Sequence, residues 1–233
     1  MFFFPYFNPA FLASMIVLVP GIILAAYAQH KVKRTYAEYS QQPAASGLTG
    51  AQASRQLLNQ AGLTDVAIEE IPGNLTDNYD PRERVLRLSQ SVARGHSLAA
   101  LGVAAHETGH ALQDANGYVP LKVRSSLVPA AQFGSNFGWM IFIMGLFISS
   151  FRPLMTIGIV IFTAAVVFQI VTLPVELDAS SRAMRLLQSN GIIVSGEAEG
   201  ARKVLRAAAL TYVAAALMSI LMLVRMLLLS RRS

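Results

Sequence analysis

Four stretches of this chain carry almost no charge and are long enough to cross a bilayer core, and that limits its possible folds more than any other feature. Residues Met1 to Gln29 contain no Asp, Glu, Lys or Arg, and 10–28 alone supplies the roughly 20 apolar residues that a spanning helix needs. Pro20-Gly21 predicts a kink within it. A second uncharged run covers 125–151 and a third 154–173, and the last span runs from about 207 to 229. The single arginine and proline, Arg152-Pro153, between the second and third predict a tight helical hairpin whose arms both cross the membrane. With 54% hydrophobic and only 14% charged residues, the chain is too apolar for an ordinary soluble domain. In the last span, Arg225 lies close enough to the end to snorkel, and Arg231-Arg232 close the chain.

Ala26-Tyr27-Ala28 offers a small-residue cleavage site, but the start has no basic region and the positive cluster Lys31, Lys33 and Arg34 lies downstream. The first span therefore reads as an uncleaved anchor whose downstream end is cytoplasmic. The expected organisation is transmembrane helix 1–29, a cytoplasmic portion 30–124 with a helix over 97–115, a transmembrane hairpin 125–173, a cytoplasmic segment 174–206, and a last transmembrane helix with basic C-terminus, 207–233. Four spans put Lys31 to Arg124 and Glu176 to Arg206 on one side, with fifteen of the nineteen Lys and Arg residues. The positive-inside bias makes that side the cytoplasm. The formal charge of +6 is scattered among apolar runs rather than clustered with aromatics, so nucleic acid is not an expected partner. The lipid bilayer is.

The polar stretch after the first span carries the chemistry. Gln41 to Gly47 reads as a linker, and Thr49 as the cap of a helix through Leu58. The apolar-alternating runs 66–71 and 85–88, separated by Gly73-Asn74 and Asp80-Pro81 turns, predict a small antiparallel sheet. It would lie beside the helix that follows, where an edge strand could accept an extended substrate. That helix, from a Ser97 cap to Asn116-Gly117, contains His106-Glu107-Thr108-Gly109-His110, an HExxH pattern. Positions i and i+4 share one helical face, so two imidazoles can close on one zinc while the neighbouring carboxylate faces the attacking water. The helix is apolar nearly all round, and two histidines and a glutamate buried in it need a strong compensating partner. With no cysteine in the chain, any metal must be held by His, Asp or Glu.

A catalytic zinc commonly takes three protein ligands. His30 belongs to the basic cluster at the membrane boundary, and His96 precedes the helix, where it could touch substrate. Glu197 and Glu199 fit the first turn of the last helix, where the dipole favours negative charge. Glu176 and Asp178 follow Pro174 at the membrane edge, where a carboxylate is costly unless paired or metal-bound. The hairpin returns Glu176 to the side holding His106 and His110. Glu176 is the expected third ligand, with Asp178 the fallback or a group orienting a histidine.

The strings Leu75-Thr76-Asp77-Asn78-Tyr79-Asp80-Pro81, Leu98-Ala99-Ala100-Leu101-Gly102-Val103-Ala104-Ala105-His106-Glu107, Leu173-Pro174-Val175-Glu176-Leu177-Asp178-Ala179-Ser180 and Ala208-Ala209-Leu210-Thr211-Tyr212-Val213-Ala214 resemble the YugP-like family of membrane zinc metallopeptidases. That family is related by motif to the HtpX and CAAX prenyl proteases. The resemblance implies that His106 and His110 bind one Zn2+, that Glu107 is the catalytic acid/base and that Glu176 completes a gluzincin ligand set. The wider HtpX-type pattern has an aspartate four residues after the ligand glutamate, to hold a zinc histidine. Ser180 stands there in this chain.

The expected fold is mainly α: four transmembrane helices with a small α+β zinc-protease portion, HExxH helix and short antiparallel strands, at the cytoplasmic face. The expected function is that of a multi-pass cell-membrane endopeptidase acting on membrane or membrane-associated proteins. Arg182, Tyr79 and His96 are the available donors to a developing oxyanion. Two competing readings are a non-catalytic scaffold or regulator with structural zinc, which would close all four metal positions, and a transporter, which would hold its metal within a span.

Overall fold

The computed structural model describes residues 9–148 and 151–231. The beginning of the first uncharged run, two residues of the second, and Arg232 of the terminal basic pair lie outside them. The described chain is mainly helical, and four of its helical stretches are long and apolar enough to span a membrane: 11–40, 119–147, 153–189 and 198–230. It divides into two compact units. One comprises 1–27, 123–173 and 211–233; the other comprises 28–122 and 174–210.

The first unit contains α1 (Pro9–Met15), the start of α2 (Val19–Ser40), most of α6 (Val119–Phe133), α7 (Trp139–Phe147), and the apolar lengths of α8 (Pro153–Ser189) and α9 (Ala198–Ser230). A 3-10 turn at Ile16–Leu18 separates α1 from α2. The Pro20 ring crowds the carbonyl four residues before it, that of Ile16, at the start of this turn. A π segment, Gly134–Gly138, joins α6 to α7. Pro153 opens α8 at its first position, where a missing N–H costs nothing. A Cβ on Gly158 would come within 2.6 Å of both the Gly138 carbonyl oxygen and the Phe142 amide, so this glycine lets two helix backbones touch. Phe142, Met155, Phe162, Val166, Met226 and Leu229 form the core. Large apolar side chains also point outward, among them Ile16 at 70% and Val160 at 66% exposure. Such a surface suits lipid rather than water.

Arg225 departs from expectation. It does not snorkel: only 3% of it is exposed. Its Nε donates to Ser14 Oγ at 3.0 Å, and its guanidinium lies 5.0 Å from the Phe11 ring and 4.9 Å from the Trp139 ring. All 13 Asp and Glu residues belong to the other unit, so within this one a hydroxyl and two aromatic faces serve in place of a carboxylate.

The second unit is built around α5 (Leu98–Ala115). Ser97 caps α5 by accepting from the Ala100 amide, and Thr49 and Gln52 form a reciprocal capping box on α3 (Gly50–Gln60). Gln41 to Gly47 is not a free linker. The Ala44 amide donates to the His96 carbonyl and the Leu98 amide to the Gln42 carbonyl, both at 2.9 Å, which fastens this stretch to the entrance of α5. The sheet also differs from expectation. β1 (Ala67–Ile71) pairs parallel, not antiparallel, with β3 (Val85–Ser89), while β2 (Asn78–Asp80) pairs antiparallel with β3, giving the order β1-β3-β2. The chain between the two apolar runs is long enough to form a strand of its own and to bring β3 back in the direction of β1. The short helix α4 (Gln90–Ala93) then leads to α5.

α8 runs unbroken through Pro174, past the end of the third apolar run at Leu173. Its later turns, with α9, pack Ala183, Leu187 and Val204 into one core with Leu98, Leu101 and Ala105 of α5.

Candidate metal centre

α5 is buried on most of its surface, including Glu107, Thr108, Gly109 and His110, as a helix with so few polar positions should be. His106 and His110 project from it one turn apart, with ring centroids 4.8 Å from each other. Glu176, 1% exposed, reaches them from α8. Its Oε2 lies 3.1 Å from His106 Nε2 and 3.5 Å from His110 Nε2. One ligand atom from each residue falls within 4.8 Å of the others. The approach of α8 is permitted by Gly109, whose hypothetical Cβ would stand 2.7 Å from the Ala179 carbonyl oxygen.

The hydrogen bonds behind these atoms determine what the site can hold. Gln113, fully buried, donates through Nε2 to the Val175 carbonyl and to Asp178 Oδ2, each at 2.8 Å. Both acceptors demand the amide nitrogen, so Gln113 Oε1, 3.0 Å from His110 Nδ1, is an acceptor. His110 Nδ1 must then carry the hydrogen, which leaves the Nε2 lone pair facing a carboxylate. Two acceptors facing each other at 3.5 Å require a cation between them, a proton or a metal ion. His106 is held similarly, with Nδ1 3.2 Å from Ser180 Oγ. Two imidazole nitrogens with their far sides fixed and one carboxylate oxygen suit a zinc ion.

The electrostatics agree. Burial pushes the Glu107 carboxyl above its ordinary value; His106 and His110 oppose that, and Glu176 and Asp77 add to it. For His110, burial works against protonation, but the hydrogen bond that the protonated ring donates to Glu176 and the charges of Glu107 and Glu176 outweigh it and raise its pKa. Asp77 is also raised, chiefly by burial, although the amide and hydroxyl of Ser89 both contact its carboxylate.

A profile for the family described as "Putative neutral zinc metallopeptidase" matches residues 14–231. The chain belongs to this zinc metallopeptidase family. Its relatives include "Putative membrane protease YugP" of Bacillus subtilis (strain 168), 46% identical over 207 residues that cover 89% of this chain and 92% of that protein. No solved structure gives a significant match. For a zinc metallopeptidase the family metal is zinc, and the buried His106, His110 and Glu176 group can hold one ion.

The remaining residues singled out from the sequence are arranged differently. Asp178 sits behind His110, connected through Gln113, and accepts from Arg182 Nε at 2.5 Å. The Arg182 guanidinium also lies 5.7 Å from the Tyr118 ring. The Tyr79 hydroxyl donates to Asp114 Oδ2 at 2.9 Å, which ties β2 to the end of α5. His96 is exposed and lines a cavity of about 720 Å³ with Tyr36, Ser40, Gln90 and Arg94, apart from the ligands. Gln113 was not foreseen as part of the site. Its signal was available: a polar side chain three residues after His110, on the same face of a helix that is otherwise apolar.

Proposed function

We propose that this zinc metallopeptidase is a membrane endopeptidase that cleaves membrane or membrane-associated proteins at the cytoplasmic face. Convergence of His106, His110 and Glu176 beside the buried Glu107 carries the reading. Among the described residues the group offers three ligands, and three ligands leave a position open for chemistry where a structural site would close it. Zinc in that place supplies a Lewis acid that polarises the scissile carbonyl and acidifies water.

The chain's own residues perform the proton transfers and the positioning. Glu107 takes a proton from the attacking water and returns it to the leaving amine, and its raised pKa brings it closer to a neutral working pH. Asp178, through Gln113, keeps the hydrogen of His110 on Nδ1, and Ser180 does the corresponding work at His106. Arg182 holds Asp178 in place. β2 is an edge strand fixed to α5 by Tyr79 and Asp114, so an extended substrate adding to that edge would run along the metal-bearing helix without side-chain selection.

Glu107→Gln tests the assignment. The variant should retain one zinc per chain and lose about 10²- to 10⁴-fold of its cleavage of an unstructured peptide substrate. Zinc retention with full cleavage would sink the mechanism. In the same zinc assay Glu176→Ala should lose the metal, whereas Asp178→Ala should keep it at lower affinity.

A further inference from the structure

Within the unit that carries the metal centre, α8 and α9 leave a cleft of about 390 Å³ whose chemistry the peptidase reaction does not use. Its lining is apolar at Leu177, Met184 and Leu205 and cationic at Arg185, Arg202 and Arg206. Met184 and Leu205 are buried, whereas Leu177 is 53% exposed. Arg202 is paired with Glu199 at 3.2 Å. Arg185 bonds the Ser181 hydroxyl and feels the Asp178 carboxylate at longer range, and among the described residues no carboxylate forms a direct ion pair with Arg185 or Arg206. The cleft is therefore an amphipathic recess with two guanidinium groups that have no carboxylate in contact.

We propose that this cleft binds the headgroup of an anionic phospholipid. Both of its helices are long and apolar enough to span a bilayer, and its lining begins within a few residues of where their apolar lengths give way to arginines, at Leu177 on α8 and Ala209 on α9. Guanidinium groups pair with phosphate oxygens through parallel N–H bonds, and basic pockets between membrane helices are the usual sites for such headgroups. The exposed Leu177 gives the upper acyl chain an apolar surface, which an acidic peptide or a free phosphate would not require. Ser180 belongs to the same lining and touches His106 Nδ1, so an occupied cleft adjoins the group that fixes one of the metal-site histidines.

The test is lipid retention by the full chain, a readout that does not depend on peptidase activity. Protein reconstituted in nanodiscs of phosphatidylcholine and phosphatidylglycerol in equal parts is extracted, and its bound lipid is counted by native mass spectrometry. Phosphatidylglycerol should be enriched roughly tenfold, the order expected for two arginines without a carboxylate in contact. Arg185→Gln with Arg206→Gln should bring the ratio to that of the bulk lipid while zinc content stays at one per chain, the check that the fold survives. The corresponding lysine pair should restore part of the enrichment. Arg82→Gln with Arg94→Gln, which removes the same charge elsewhere on this unit, should leave it intact. Enrichment that survives in the glutamine pair, or that the control pair abolishes as well, overturns the proposal. So does displacement of the lipid by inorganic phosphate, or by an acidic peptide, at concentrations equal to that of the lipid.

Discussion

At the scale of single residues, Gln113 does the most for the site without facing it. It connects His110 to both Val175 and Asp178. Gln113→Leu conserves volume and helix propensity but leaves the His110 Nδ1 hydrogen buried without its partner and takes the side-chain donor from the Val175 carbonyl. Zinc affinity should fall about 10- to 100-fold, measured by competition with a chromophoric chelator, with helicity unchanged by circular dichroism. An unaltered affinity would remove Gln113 from the account. His110 also sets the pH dependence. Its pKa in the metal-free protein is raised above the ordinary 6.5, so at pH values below that raised pKa zinc must displace a proton. Affinity should begin to weaken on the alkaline side of 6.5 as pH falls, where a histidine of ordinary pKa would still bind fully. The stability sign is opposite. A raised histidine pKa stabilises the metal-free fold below its unfolded value, and that contribution is lost as pH rises through the folded value. The gain in Tm on adding zinc should therefore widen as pH rises from 6.5 through the raised folded value. A gain that narrows over that range would contradict the assignment.

Helices and strands carry the next level. α5 and α8 approach at Gly109, where an added Cβ would meet the Ala179 carbonyl at 2.7 Å; about two turns earlier in α5, Gly102 has only the Ala201 carbonyl, at 3.8 Å. Gly109→Ala must push α8 away and with it Glu176, at a cost of about 1–3 kcal/mol in stability together with a loss of zinc affinity. Gly102→Ala, in the same helix, should be neutral or stabilising by up to about 1 kcal/mol. Paired thermal melts and zinc titrations of the two variants decide the point, and equal behaviour would refute it. The same elements show what the sequence could reveal. The HExxH spacing, the Ser97 and Thr49 caps and the apolar runs are local signals, and they placed α5, α3 and the membrane-length helices. The direction of β1 against β3 was not legible, because alternation of apolar residues fixes which face is buried but not which way a neighbour runs. The third apolar run ends at Leu173 but its helix does not, because a proline removes only one backbone bond and a long helix can absorb that. Arg225 read as a snorkelling residue because no local pattern tells that Phe11 and Trp139, far away in sequence, will stack on it.

For the whole molecule, the distribution of charge follows the division into units. Every Asp and Glu lies in the unit with the metal centre, and the other unit's basic residues are Arg124, Arg152, Arg225, Arg231 and Arg232. That unit of 28–122 and 174–210 is assembled from two segments separated in sequence by the pair of apolar stretches 119–147 and 153–189. His106 and Glu176, 70 residues apart, meet across these stretches, as two crossings that return the chain to the side it left would allow. In the reading proposed above, the surplus of Lys and Arg in the two segments would put that side in the cytoplasm, and the absence of cysteine makes the proposal straightforward to test. Single cysteines at the exposed positions Gln60 and Ser189 should react with a membrane-impermeant maleimide only after the cells are opened. A cysteine in place of the exposed Arg152, in the turn before α8, should react in intact cells. Labelling of all three positions in intact cells would mean that the apolar stretches do not separate them. Labelling of Gln60 and Ser189 but not Arg152 would invert the molecule, putting the metal centre outside the cell and its substrates among extracytoplasmic proteins.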